Sequence, residues 1–232
     1  MALNRKNINT LLNTIIIFIA YLFYTQVLSK ILGLMSINDS VTQMFISDLI
    51  FLLGIIIFYK KKIKSSFNIF VKEYRLIKKI TVILTWVVGI FFINILMGII
   101  TEFLFPEVAS VMDDNSDAIY NLFSVSSIYT IFKTMIFAVV AEELVFKQAI
   151  RDVFTNNIVF VVVSSLIYVI MNFAYANFNQ SGILIDMLGY LMFAVVTSIA
   201  YIKNNDNIFI VMLIKFFYSL VPLLILVLGL GL

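Results

Sequence analysis

Two adjacent glutamates, Glu142 and Glu143, follow the apolar run 135–141 and are followed in turn by Lys147. A carboxylate is costly inside a membrane, so ionisable residues there face the bundle interior or a wet cavity and pair with one another. The chain also sets Asp48, Lys133, Asp186 and Lys215 in apolar runs, with Asn172 as an uncharged polar member. Glu143 and Lys147 are four apart with the acid first, the favourable order for an intrahelical ion pair. Glu142 points about 100° away around an α-helix and cannot share that lysine. It needs a partner on another helix. Lys215 is a mid-span cation with no partner on its own helix, so the expectation is an interhelical Glu142–Lys215 pair. Lys133 and Asp186 fall near helix ends, where a charge reaches water easily; Asp48 has no evident partner.

The residue types present and absent limit the chemistry. There is no histidine and no cysteine, which removes the usual neutral-pH base, the usual zinc ligands and a thiol nucleophile. No HExxH, P-loop or GxGxxG occurs. Only carboxylates remain as metal ligands, and Glu142 and Glu143 beside a lysine suit a metal poorly. No metal and no cofactor are expected. Lys215 and Ser219 are four apart, so their side chains can meet. A serine–lysine dyad needs that lysine neutral and unpaired, which nearby Glu142 opposes.

The elements that hold these residues are hydrophobic helices. Of 232 residues, 62% are hydrophobic, and the mean hydropathy is +1.09. Apolar runs of about 20 residues recur along the chain, the pattern of a polytopic membrane protein. The expected fold is all-α, one membrane domain over 1–232, with seven helices near 11–34, 41–59, 80–101, 125–154, 158–176, 183–202 and 208–230. The first reads as a retained helix, because no small-residue cleavage site follows it. Arg5, Lys6, the run Lys60–Lys79, Lys147, Arg151 and Lys203 all fall on one face of this arrangement. The other face holds Glu102, Glu107, Asp113, Asp114 and Asp117 with no lysine or arginine in that loop. The positive-inside rule puts the N-terminus in the cytoplasm and the C-terminus outside. The net charge of +3 comes mostly from that basic face, so no nucleic-acid partner is expected. Segment 60–79 alternates lysines with Ile63, Phe67, Phe70, Val71, Tyr74 and Ile77 at helical spacing. This amphipathic loop is expected to form a helix lying in the cytoplasmic interface, its basic face toward anionic headgroups.

The motif E-E-x-x-x-K over Glu142–Lys147 resembles the E-E-x-x-x-R signature of the CAAX protease and bacteriocin-processing family of glutamate-dependent intramembrane proteases. SSLIYVIMNFAY, from Ser164, resembles the family's F-x-x-x-H segment, and NIFIVMLIKFFYSL, from Asn207, its H-x-x-x-N segment. The motifs lie within 127–220, in a family-like core over 79–220. Position by position, the resemblance places the water-activating glutamate on Glu142 and the second on Glu143. The motif arginine becomes Lys147, the phenylalanine Tyr168, the two histidines Asn172 and Lys215, and the asparagine Ser219.

The departures fall where the chemistry is done. Asparagine can hold a water but cannot take its proton, and an ammonium beside Glu142 makes it a weaker base. Asn172 and Ser219 are expected to satisfy the remaining hydrogen bonds of the Glu142–Lys215 pair. The resemblance therefore implies a family member without catalytic residues, acting as a scaffold or regulator that binds another membrane protein or a peptide. Its implied partners include a cell-envelope enzyme, a sensor kinase, a transporter, or a bacteriocin in self-immunity. Two other classes remain open: a residual intramembrane peptidase using Glu142, and a transporter component using the intramembrane charges. The frequent Asn, Lys and Ile give the impression of an AT-rich bacterial source, hence a bacterial cytoplasmic membrane.

Overall fold

The computed structural model describes residues 5–73, 75–104, 121–174 and 183–228, and among them every regular element is helical. Seven long helices follow one another: α1 (Arg5–Leu34), α2 (Ser40–Glu73), α3 (Leu76–Leu104), α4 (127–153), α5 (Asn157–Asn172), α6 (Ile183–Lys203) and α7 (Ile208–Val227). Five of them are long and apolar enough to cross a membrane: α1, α2, α3, α6 and α7. The shorter α5 is also apolar. This is an all-α, multi-pass membrane protein. The expected outer-loop residues Pro106, Glu107, Asp113, Asp114 and Asp117, together with Tyr74 and the last residues 229–232, lie outside the described residues.

Side-chain caps set several boundaries. A helix start leaves backbone N–H groups without partners, and a short polar side chain supplies them. Asn156 Oδ1 accepts from the N–H of Ile158 and Val159 at the head of α5. Asn207 Oδ1 does the same for Phe209 and Ile210 at the head of α7. Asn207 also donates through Nδ2 to Ser66 O at 3.1 Å. That bond ties the start of α7 to α2 in the segment expected as an interfacial loop. The segment is helical as its spacing predicts, but it is not a separate helix: α2 runs unbroken through Glu73. Its 34 residues make a helix about 51 Å long, well beyond the ~30 Å hydrocarbon layer. Phe67 and Phe70 pack on Phe209 of α7, which holds the extension against the bundle while most of its lysines stay exposed.

Helix α4 departs furthest from expectation. It begins as an α-helix over Ser127–Phe132, is π-wound over Lys133–Glu142 and Leu144–Ala149, and returns to α over Ile150–Val153. π-winding is usually confined to a single turn, often at a functional site. Here donors from neighbouring helices take up carbonyls along it. Ser164 Oγ donates to Phe146 O at 2.8 Å, and Thr14 Oγ1 donates to Ala149 O at 3.0 Å. The helix is the centre of the bundle: Phe137, Ala141, Leu144, Val145 and Ala149 have no exposed surface.

Candidate functional site

Helices α4, α5, α6 and α7 converge on one buried cluster of charges. Lys215 Nζ of α7 donates to Glu142 Oε2 at 2.8 Å. The same ammonium lies 3.2 Å from Glu143 Oε1. The sequence placed Glu142 and Lys215 together, and the structure brings them together. It also adds Glu143. Bonding from i to i+5 puts more residues in each turn than the α-helix holds, so neighbouring residues diverge by less than 100°. Both carboxylates therefore face the last helix.

The expected Glu143–Lys147 ion pair does not form. Glu143 has turned to Lys215, and Lys147 points between α5 and α6. There its ammonium donates to Ser164 Oγ and Ala194 O, both at 3.3 Å. Ser164 and Ser198 join hydroxyls at 3.0 Å beside it. Lys147 and Glu143 are each only 1% exposed. Tyr168 of α5 supplies a ring to both ammonium groups, 5.5 Å from Lys147 Nζ and 5.3 Å from Lys215 Nζ. Phe193 of α6 lies 5.7 Å from Lys215 Nζ. Such cation–ring contacts add modest stabilisation, more where water is excluded.

The polar roles given to Asn172 and Ser219 are not those in the structure. Asn172 is exposed at the far end of α5 and donates back to Tyr168 O at 2.8 Å. It is one turn beyond the charge cluster, and Tyr168 occupies the place on α5 that faces it. Ser219 lines a cavity together with Lys215 and does not bridge the ion pair. One carboxylate oxygen, Glu143 Oε2, is buried with no hydrogen-bond partner.

A second charged cluster had no counterpart in the sequence reading. Asp48 of α2 is 1% exposed and pairs with Lys133 of α4 at 2.9 Å. Tyr129 donates to the same oxygen, Oδ2, at 3.0 Å, and Tyr24 of α1 donates to Oδ1. Neither charge has an opposite charge within a turn on its own helix. Both lie near the end of the bundle opposite the lysine-rich turns, about 12 and 9 Å from their helix starts at 1.5 Å per residue. That shared depth was the available signal. At the other end, Arg151 Nε donates to Asp206 at 2.9 Å and Arg151 Nη1 donates to Thr155 O at 3.0 Å. These bonds fasten the α4–α5 turn to the α6–α7 turn. No group of three or more potential metal ligands occurs among the described residues.

Residues 124–221, which span α4 to α7 and hold the whole four-charge cluster, match the family model described as type II CAAX prenyl endopeptidase Rce1-like. This segment is an Rce1-like domain. No curated protein matches the chain, and no solved structure does. The Rce1-like domain accounts for Glu142, Glu143, Lys147, Tyr168 and Lys215, while α1 to α3 lie outside the match and supply Asp48 and Tyr24.

Proposed function

We propose that this chain is a non-hydrolytic Rce1-like membrane protein. In this reading it is a scaffold or regulator that binds a membrane protein or peptide partner without cutting it. The observation that carries the reading is the clamp on Lys215. A glutamate that activates water must have a free oxygen pointing at that water and must take its proton. Glu142 Oε2 already accepts from an ammonium at 2.8 Å, and the chain has no imidazole to share the task. Losing one positioned acid–base group typically costs 10²–10⁴-fold in rate. Lys215 is held by two acids, so it is not a neutral amine able to activate Ser219.

A second reading keeps a residual peptidase. The observation in its favour is the unpartnered oxygen of Glu143, buried on the acid that pairs with Lys215, which itself lines a cavity with Ser219. One experiment separates the two. The full chain is purified from native membranes beside Glu142→Ala and Ser219→Ala and offered a co-expressed membrane peptide. The scaffold reading expects a stable, stoichiometric partner and no cleavage that depends on either residue. Cleavage lost in Glu142→Ala or Ser219→Ala overturns it.

A further inference from the structure

One face of α2 packs on the bundle along most of its length. Asp48, Leu52, Ile55, Tyr59 and Ser66 are buried, and at one turn per 3.6 residues all lie within about 40° of Ser66 around the helix. Ile50, Leu53 and Ile57 are exposed and lie on the opposite side, about 140° or more from Ser66. They present an apolar stripe to hydrocarbon. The stripe continues as Lys60, Lys61 and Lys64, which are exposed and about 120° or more from Ser66. The lipid-facing side of α2 therefore turns basic without changing face.

The depth of that change is fixed by α7. Its apolar stretch Ile208–Val227 is long enough to cross a membrane. Asn207, the cap of that helix, donates to Ser66 O at 3.1 Å, and Phe67 and Phe70 pack on Phe209. Ser66 thus marks on α2 the level at which the α7 span begins. Lys60 and Lys64 precede Ser66, by ~9 and ~3 Å along the helix, on the hydrocarbon side of that level. A lysine placed there lays its apolar stem along the lipid and extends its ammonium to the headgroup layer. Among the described residues no ion pair engages these three ammonium groups, and Glu73 is the one acid in 60–80. Lipid is the neighbour on that face. A phosphate head with no amine of its own supplies the missing counter-charge at that depth, whereas a zwitterionic head brings its own cation.

We propose that Lys60, Lys61 and Lys64 form a binding site for an anionic phospholipid. Its phosphate is held by the three ammonium groups, and its acyl chains lie along Ile50, Leu53 and Ile57. The inference goes beyond the scaffold role and uses none of the residues around Glu142, so it stands whether or not that site cuts peptides.

The full chain in mild detergent is offered equal amounts of phosphatidylglycerol and phosphatidylcholine with the same acyl chains, and retained lipid is counted by native mass spectrometry. The expected result is one retained phosphatidylglycerol per chain, preferred about tenfold, the scale of one to two lysines acting near an anionic surface. Lys60→Gln with Lys61→Gln and Lys64→Gln is expected to remove the preference, and arginine at the same three positions to keep it. Lys72→Gln with Arg75→Gln and Lys78→Gln removes the same charge beyond Ser66 and is expected to leave most of the preference. Excess inorganic phosphate is expected not to displace the lipid. If the first glutamine variant fails to fold, the wild-type preference and the second variant still decide. Equal retention of the two lipids overturns the proposal. So does a loss in the second variant as large as in the first, or displacement of the lipid by inorganic phosphate.

Discussion

The two intramembrane charge clusters are built on opposite principles. Around Asp48 a single carboxylate receives three donors, from Tyr24, Tyr129 and Lys133, and both of its oxygens are used. Its cation is partly open, with a third of the Lys133 side chain exposed. Around Lys215 two carboxylates compete for one ammonium, and Glu143 Oε2 is left without a donor. Its cation is almost fully enclosed, at 4% exposure. A satisfied cluster fastens helices, here α1, α2 and α4. An over-supplied acid cluster beside a cavity is an arrangement that a stability requirement alone would not retain. The difference in hydrogen-bond satisfaction separates the segment that matches the Rce1-like model from the helices before it.

The largest expected effect comes from removing the enclosed cation. Lys215→Met leaves two buried carboxylates facing each other, and breaking a buried pair this way costs about 3–5 kcal/mol. The triple variant Glu142→Gln, Glu143→Gln, Lys215→Met removes every charge at once and should recover most of that loss. Thermal unfolding in mild detergent measures both. A triple variant as unstable as Lys215→Met would show that the charges are not what opposes folding.

A smaller effect is expected at the satisfied cluster. Lys133→Met leaves Asp48 with two tyrosine hydroxyls, so the acid is still solvated by hydrogen bonds. The loss should be that of one charge-assisted bond, about 1.5–3 kcal/mol. If Lys133→Met proves as costly as Lys215→Met in the same assay, the contrast between the clusters collapses.

How much of this was legible in the sequence follows the same line. Among the described residues, five long helices were legible because apolar length is a direct requirement of the bilayer. Glu142 and Lys215 were paired from 73 residues apart, because each was a mid-span charge with nothing to balance it. The π-winding of α4 was not legible. Shifting hydrogen bonds from i+4 to i+5 leaves no residue-type signature, and with it went the expected Glu143–Lys147 pair. Asn172 was misplaced by one turn at the outer end of α5, where an exposed asparagine and a buried one look alike in sequence. The continuation of α2 through its lysines was hidden because a charge run marks the membrane boundary and not the helix end. Asp48 and Lys133 could have been paired by the argument used for Glu142 and Lys215, since both were unbalanced at similar depth.

A third acid, in water, gives the scale against which both buried clusters are read. Asp39, just before α2, accepts from the N–H of Thr42 at 2.7 Å and from its hydroxyl, the geometry of a helix cap. These hydrogen bonds hold its carboxyl below the usual carboxylate range. A group whose folded value is depressed stabilises the fold fully above the unfolded value and loses that contribution as pH falls through the folded one. Asp39→Asn should therefore matter slightly near neutral pH, and its difference from wild type should vanish in acid below the lowered value. Full exposure keeps the effect the smallest of the three. Unfolding midpoints of wild type and Asp39→Asn, followed from neutral pH down through the carboxylate range, test this. A gap that widened toward acid would mean that Asp39 is not held ionised by its cap.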